Sequence, residues 1–322
     1  MPSCRACRRF GGRPFGLYRQ GMTAEQERME EADLTEAWSL ITENGYYFWR
    51  CNPLLEYCGA EALFTTRKGG VSTGPWQGLN LSPKTGDHPE LVNANLQALM
   101  TALEIDPQTV RGVKQVHGVE IVNPGSDSYP AVAPGADGLF DREGRHVLVT
   151  QHADCAPVYL AAIGTPALML VHAGWRGSAA GITRQGVARF MQETDCAAKD
   201  IFAAIGPCIH ECCYEVGTEV AKAFANCLGE RYAEALQVTP EKGTEGTGPA
   251  LTPEPEAAYS YRLNLAHANR VILEQTGILP EHIFESHLCT ACHDEYFYSH
   301  RRDGGKTGRM LAILRRTGVS AR

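Results

Sequence analysis

The chain has no apolar run that approaches the length of a membrane span, so no transmembrane helix is expected. It has no excess of positive charge either. Thirty Lys and Arg stand against 37 Asp and Glu, a formal net charge of −7, which gives no electrostatic reason to expect nucleic acid binding. The N-terminal stretch Met1–Phe15 is basic but lacks the apolar centre of a secretory signal. The twelve cysteines therefore read as cytosolic thiols rather than a disulfide framework, and a cytoplasmic location is expected. No internal repeat is visible, and strands and helices do not alternate strictly, which argues for an α+β or mixed α/β fold. At 322 residues and 43% hydrophobic, the chain is ample for a large core.

Three polar residues stand at the ends of extended-looking stretches. The apolar run 167–171 (ALMLV) leads into VHAGWRG (171–177), where His172 precedes a glycine-rich turn. The run 146–150 (HVLVT) leads into QHADCAP (151–157), which carries Asp154 and Cys155, and KQVHG (114–118) ends a third stretch with His117. A buried histidine or cysteine is ordinarily a satisfied core residue. A rigid strand that ends in a polar residue and a glycine turn can also hold a site, because the strand fixes position while the loop approaches a ligand. The spacings among His117, Cys155 and His172 are too long for a local zinc knuckle, so sequence spacing alone assigns no metal.

Elsewhere, residues 1–22 are Arg- and Gly-rich and expected to be disordered. Residues 23–40 are acidic and helix-prone, with Thr23 a plausible N-cap. A helix is expected over 89–103, with Val92, Leu96, Leu99 and Leu103 on one face and Pro89 in its first turn. Others are expected over 179–193, with Ile182, Val187, Phe190 and Met191 inward, and over 262–277. Residues 239–258, rich in Pro, Gly, Glu and Thr, read as a surface loop, and 310–314 as a last strand.

Several motifs occur in a familiar order: TTRKGGVSTGPWQGLNL (65–81), GDHPELVNANLQAL (86–99), KQVHG, GADGL (135–139), HADCAP, VHAGWRG, IGPCIHECCYEVG (205–217) and CT…SHRRDGGKTGR (289–309). Together they resemble the YfiH/YlmD family, also called the laccase-domain or "multicopper polyphenol oxidase" family, from about Phe64 to the C-terminus. The resemblance implies a layered α-β-β-α arrangement with mixed sheets, a single catalytic domain over 51–322, and an N-terminal extension over 1–50. It also implies that His117, Cys155 and His172 bind one zinc ion. Imidazole and thiolate suit zinc, and three protein ligands leave a fourth position for water or a substrate atom, the pattern of a catalytic site.

Family members phosphorolyse adenosine, inosine and methylthioadenosine and deaminate adenosine. The resemblance therefore implies a purine nucleoside and phosphate as substrates, with the protein a monomer or homodimer. Phosphate attack on an N-glycosidic carbon needs an anion clamp, and Arg67, Arg176, Arg301 and Arg302 each lie beside or near glycine. Of these, Arg67, Arg176 and Arg302 are the expected phosphate or substrate contacts. Asp137 or Asp154 would move protons. Arginines in turns are more ordinarily solvated, and only the family context lifts these.

The eleven histidines include no His-x-His pair, which argues against multicopper oxidation, although copper could replace zinc at the one site. A second alternative makes Cys155 the nucleophile of an amide hydrolase acting on peptidoglycan precursors, with His172 or His117 as base. A third is a partner-binding protein without catalysis. CTACH (289–293) matches the c-type haem attachment pattern, and Cys4 and Cys7 could join Cys289 and Cys292 in a zinc ribbon; neither has other support in the sequence. His300 stands where the family usually has Tyr.

Overall fold

The computed structural model describes residues 37–124, 135–240 and 259–317. In chain order the strands are β1 (Trp38–Glu43), β2 (Tyr46–Cys51), β3 (Ala60–Thr65), β4 (Val110–Gly112), β5 (Ile121–Val122), β6 (Gly138–Asp141), β7 (Val147–His152) and β8 (Ala156–Ala162). They continue as β9 (Leu168–Ala173), β10 (Ile201–Ile205), β11 (Glu215–Val216), β12 (Leu236–Pro240), β13 (Tyr259–Leu263), β14 (Ile283–Glu285) and β15 (Met310–Arg316). One six-stranded sheet has the order β1-β2-β3-β15-β7-β4 and a second the order β14-β10-β8-β9-β6-β5. A small sheet, β11-β13-β12, completes the set. The large sheets are mixed: β4 runs parallel to β7, β14 to β10 and β5 to β6, while the other neighbours are antiparallel.

Side chains that alternate along a strand point to opposite faces, and here both faces are covered. Ala62, Phe64, Leu148 and Ala312 of the first sheet share a core with Tyr159, Ala161, Leu170 and Ala204 of the second. The neighbouring positions Leu63, Val149, Leu311 and Ile313 face the other way, against Val92, Leu96 and Leu99 of the helix Pro89–Ala102. On the far side of the second sheet, Val158, Leu160, Met169 and Val171 pack with Phe190 and Ile272, from the helices Ile182–Thr194 and Leu265–Gln275. The layers are thus helix, sheet, sheet, helix, as expected.

The elements differ from expectation in four places. Residues 38–40 were expected to be helical but begin β1. Asn44 and Gly45, at φ 48° and 84°, form the two-residue turn of a hairpin in which Glu43 faces Tyr46; left-handed Asn-Gly is a strong hairpin signal and overrides weak helix propensity. Residues 38–51 accordingly lie in the first sheet, while 1–36 fall outside the described residues. The helix expected over 179–193 is two, Trp175–Ala179 and Ile182–Thr194, separated at Gly181, whose φ is 92°. Arg262 belongs to β13 rather than to the helix that starts at Leu265, where Asn264 caps by accepting from the His267 N–H. Thr239 and Pro240 lie in β12, and the rest of the expected loop, 241–258, falls outside the described residues. Met191 is only partly buried.

Candidate metal centre and active site

The two sheets bring two strand-end residues and one loop residue together; His117, expected at the end of an extended stretch, lies five residues beyond β4. Cys155 sits between β7 and β8, His172 is the penultimate residue of β9, and His117 lies on the loop after β4. Their ligand-type atoms all lie within 4.8 Å of one another. His172 is buried, Cys155 half-buried and His117 exposed, so the group opens to solvent on one side. The imidazoles of His117 and His172 meet edge to face with ring centroids 5.0 Å apart.

Asp137, fully buried just before β6, organises two of the three. Its Oδ1 accepts from His172 Nδ1 at 2.9 Å and from the His117 N–H at 3.0 Å. Its Oδ2 accepts from the Gly118 N–H at 2.7 Å and the Val116 N–H at 3.1 Å. With Nδ1 of His172 engaged, Nε2 is the nitrogen left for a ligand, an arrangement carboxylates commonly impose on metal-binding histidines. Burial opposes ionisation of Asp137, but the bonds from His172, Gly118 and Val116 hold its pKa below the usual carboxylate range. His117 is itself held at φ 61°, a left-handed conformation that such over-determined bonding can maintain.

The chemistry of the three groups is coupled. Burial disfavours a thiolate at Cys155, but the charges and hydrogen bonds of His172 and His117 outweigh it and bring the pKa down to about 6. Burial likewise opposes a charged His172, while the Cys155 thiolate and Asp137 raise it to about 9. His152, buried behind the group, has a pKa well below its ordinary value through burial and the nearby His172 charge. Its Nδ1 lies 2.9 Å from the Cys155 carbonyl and its Nε2 2.8 Å from the Thr150 hydroxyl. A neutral imidazole donates from one nitrogen only, so His152 gives its proton to that carbonyl and accepts from Thr150.

The site also has a cradle. A Cβ at Gly174 would lie 3.0 Å from Cys155 Sγ and 3.1 Å from His117 Cδ2, so only glycine leaves the space between these ligands open. A Cβ at Gly177 would come within 2.8 Å of the Gly118 carbonyl oxygen. The glycines of VHAGWRG thus permit close packing of the His172 and His117 loops. The open space and the set of two imidazoles and one thiolate fit a single zinc-type ion.

Asp154, held at φ 96°, ties this region to the segment 289–303. Its Oδ1 accepts from the Thr290 hydroxyl and its Oδ2 from the Arg301 N–H, both at 2.7 Å. Burial raises its pKa above the ordinary value against the opposing effect of these bonds.

The expected arginines have four different environments. Arg67 lines an open cleft with Gly69, Gly70, Ser72, Gln77 and Asp294. Its guanidinium lies 4.6 Å from the centre of the Tyr298 ring and donates to the Gln77 carbonyl at 3.2 Å. None of His117, Cys155 and His172 lines that cleft. Arg176 is exposed, with its guanidinium 4.3 Å from the Trp175 ring centre. Arg301 donates to the Glu215 carbonyl at 2.7 Å and lies over Tyr214. Arg302, expected as a phosphate contact, forks onto Asp303 at 2.8 and 3.0 Å and donates to the Thr290 and Phe297 carbonyls. All three of its nitrogens are engaged by the loop.

Arg309, in the same C-terminal motif, donates from its guanidinium to the Thr307 and Gly308 carbonyls at 3.1 and 2.9 Å, and burial holds its pKa below the ordinary arginine value.

Residues 61–317 match the family described as "Multi-copper polyphenol oxidoreductase laccase". The chain is 34% identical to the purine nucleoside phosphorylase YlmD of Geobacillus stearothermophilus, over 81% of this chain and 91% of that protein. It is 36% identical to a purine nucleoside phosphorylase of Deinococcus radiodurans, over 78% of this chain and 87% of that one. The crystal structure of the Geobacillus YlmD is similar with a TM-score of 0.73, covering 86% of this chain and 98% of that one. The YfiH protein of Bacillus licheniformis, described as hypothetical, is similar with a TM-score of 0.76 at 28% identity, covering 88% of this chain and all of that one. No helix among the described residues is long and apolar enough to cross a membrane.

Proposed function

Because the chain belongs to the YfiH/YlmD family of laccase-like multi-copper polyphenol oxidoreductase proteins, we propose that it is a zinc-dependent purine nucleoside phosphorylase that also deaminates adenosine. Its substrates would be adenosine, inosine or methylthioadenosine, together with phosphate. The observation that carries the proposal is the group of His117, Cys155 and His172 around the space kept open by Gly174. A bound zinc would supply Lewis-acid polarisation of a substrate atom or water at its open position. A thiolate in the group suits zinc, and copper could occupy the same place.

The protein's own residues divide the remaining work. Asp137 keeps a proton on Nδ1 of His172 and fixes the loop that carries His117. His152 fixes the Cys155 carbonyl. Asp154, whose carboxyl burial favours in the protonated form, is the candidate to hold or release a proton for a departing base or an incoming water. Arg67 and Arg176 present cations for phosphate or the nucleoside.

The pairing of a thiolate-favouring Cys155 with a protonated His172 also suits a cysteine amide hydrolase, provided no metal occupies the thiolate. The test is to incubate purified, metal-analysed protein with nucleosides, with and without phosphate, and to resolve the products by chromatography. Ribose 1-phosphate formed only with phosphate supports phosphorolysis. Inosine formed from adenosine without phosphate supports deamination. Neither product, with an amide substrate consumed, would favour the hydrolase. Arg67→Ala should slow phosphorolysis on the order of a hundredfold and deamination less; equal losses would place Arg67 on the nucleoside or the fold.

A further inference from the structure

Four cysteines outside the site just described converge from two loops. Cys212 and Cys213 lie in the turn between β10 and β11, and Cys289 and Cys292 in the turns that follow β14. Their four Sγ atoms lie within 4.8 Å of one another. Cys292 Sγ is 3.4 Å from that of Cys212 and 3.3 Å from that of Cys213.

We propose that Cys212, Cys213, Cys289 and Cys292 form a second, closed metal site that takes one zinc ion. Four sulfurs around zinc at about 2.3 Å stand roughly 3.8 Å apart at the corners of a tetrahedron; here two separations are 3.3 and 3.4 Å and all lie within 4.8 Å. A disulfide would need one pair at about 2.05 Å, and all four residues are free thiols here. A polynuclear iron–sulfur cluster distributes its thiolates over separate irons with sulfides between them, which needs a wider spread than this group has. One ion is what the space admits. All four corners would be filled by protein, so the site is structural rather than catalytic.

The backbone is arranged for this. Cys289 and Cys292 are spaced as a C-x-x-C pair, and the Cys292 N–H donates to the Cys289 carbonyl at 3.2 Å, which closes a turn with both thiols near one another. The other loop is pinned beside it: Cys208 and Cys289 form a β-bridge, with the Cys208 N–H donating to the Leu288 carbonyl and the Thr290 N–H to the Cys208 carbonyl. Arg262 donates to the carbonyls of Glu211 and Cys212 at 3.2 and 3.1 Å, bringing positive charge to a centre that four thiolates would make negative. The consequence reaches the first site. Thr290, between the two cysteines of the pair, bonds Asp154, the neighbour of Cys155. An ion here would lock the loop that holds Asp154 in place.

The test is metal counting on the untagged full-length protein by native mass spectrometry and elemental analysis, beside Cys213→Ser, Cys292→Ser and Cys155→Ala. The expected result is two zinc ions per wild-type chain and one in each variant. The Cys213→Ser and Cys292→Ser variants should also melt lower by on the order of 5 °C or more. Cobalt exchanged into Cys155→Ala should give the absorption of a tetrahedral thiolate site. If a serine variant does not fold, the zinc count and the cobalt absorption of Cys155→Ala, which keeps all four of these cysteines, decide the matter. No zinc left in Cys155→Ala, a count unchanged by Cys213→Ser and Cys292→Ser, iron at this position, or a disulfide among the four in non-reducing peptide maps would each overturn the proposal.

Discussion

The two sulfur-bearing clusters are built by opposite strategies. His117, Cys155 and His172 come from three places far apart in sequence, the last two at or beside strand ends and the first on the loop after β4. They are fixed by Asp137, which spends both carboxylate oxygens on holding them. Cys212, Cys213, Cys289 and Cys292 come as two local pairs on adjoining turns. The first cluster mixes nitrogen with sulfur and leaves one side open; the second is all sulfur. A site that must admit a substrate needs rigid walls and outside bracing, whereas a closed four-thiolate site can be supported by its own ligands once an ion binds.

Gly174→Ala is the sharpest way to break the comparison. The backbone there has φ −72° and ψ 166°, which alanine adopts freely, so the effect comes from the Cβ placed 3.0 Å from Cys155 Sγ. Displacing ligands by a fraction of an ångström should lower nucleoside turnover on the order of a hundredfold or more. The zinc of the three-residue group should weaken while the second ion stays. Titration with a chelator, read with a metal-sensitive dye, checks this; unchanged zinc affinity would mean that the Gly174 space is not the metal position.

Asp137→Asn should act next most strongly. The amide can accept from only one side, so it cannot keep all four donors, and the tautomer of His172 is no longer fixed. A loss of about 10–100-fold in metal affinity or activity is expected, again with the four-cysteine site untouched. Loss of both ions together would show that the two sites fold as one unit and that their contrast is false.

The smallest effect concerns β14, the strand that delivers the second cluster. Glu285 at its end is buried, and burial opposes its charge. Contacts with His267 and the charges of His287 and Arg270 nevertheless hold its pKa at about 2. His267 Nδ1 lies 3.5 Å from Glu285 Oε1, and Arg270 Nε 3.6 Å from it. For His267, burial disfavours the charge and the Glu285 contact raises the pKa above the ordinary value, so it stays protonated in acid. A depressed carboxylate stabilises the fold above its unfolded pKa and ceases to do so as pH falls through the folded value. Glu285 should therefore contribute fully above pH about 4.5 and progressively less toward pH 2. Glu285→Gln should be less stable than wild type by about 1 kcal/mol at neutral pH, with the gap closing through that window. Urea melts at stepped pH would show it; a gap constant down to pH 2 would assign the loss to packing.

The sequence by itself determined the elements that rest on local pattern. The helix 89–102 was legible from Val92, Leu96 and Leu99 at helical spacing, and β7, β9 and β15 from short apolar runs, because burial imposes those periods on the chain. Motif order identified the family and, through it, His117, Cys155 and His172. What went unread was either local and outvoted or not local at all. The Asn44-Gly45 pair is a local hairpin signal that went unread beside the helix-prone stretch 23–40, and the second strand of the hairpin pairs with β3 in a buried sheet. Tertiary structure alone decided the uses of polar groups. Nothing in the sequence distinguishes Arg302, whose guanidinium is engaged by its own loop, from Arg176, which is exposed over Trp175. Nor does it say that Cys289 and Cys292 meet Cys212 and Cys213, while Cys4 and Cys7 fall outside the described residues. A charged or sulfur-bearing side chain carries no period that betrays its partner; its role is fixed only when two sheets and their loops bring the other atoms within bonding distance.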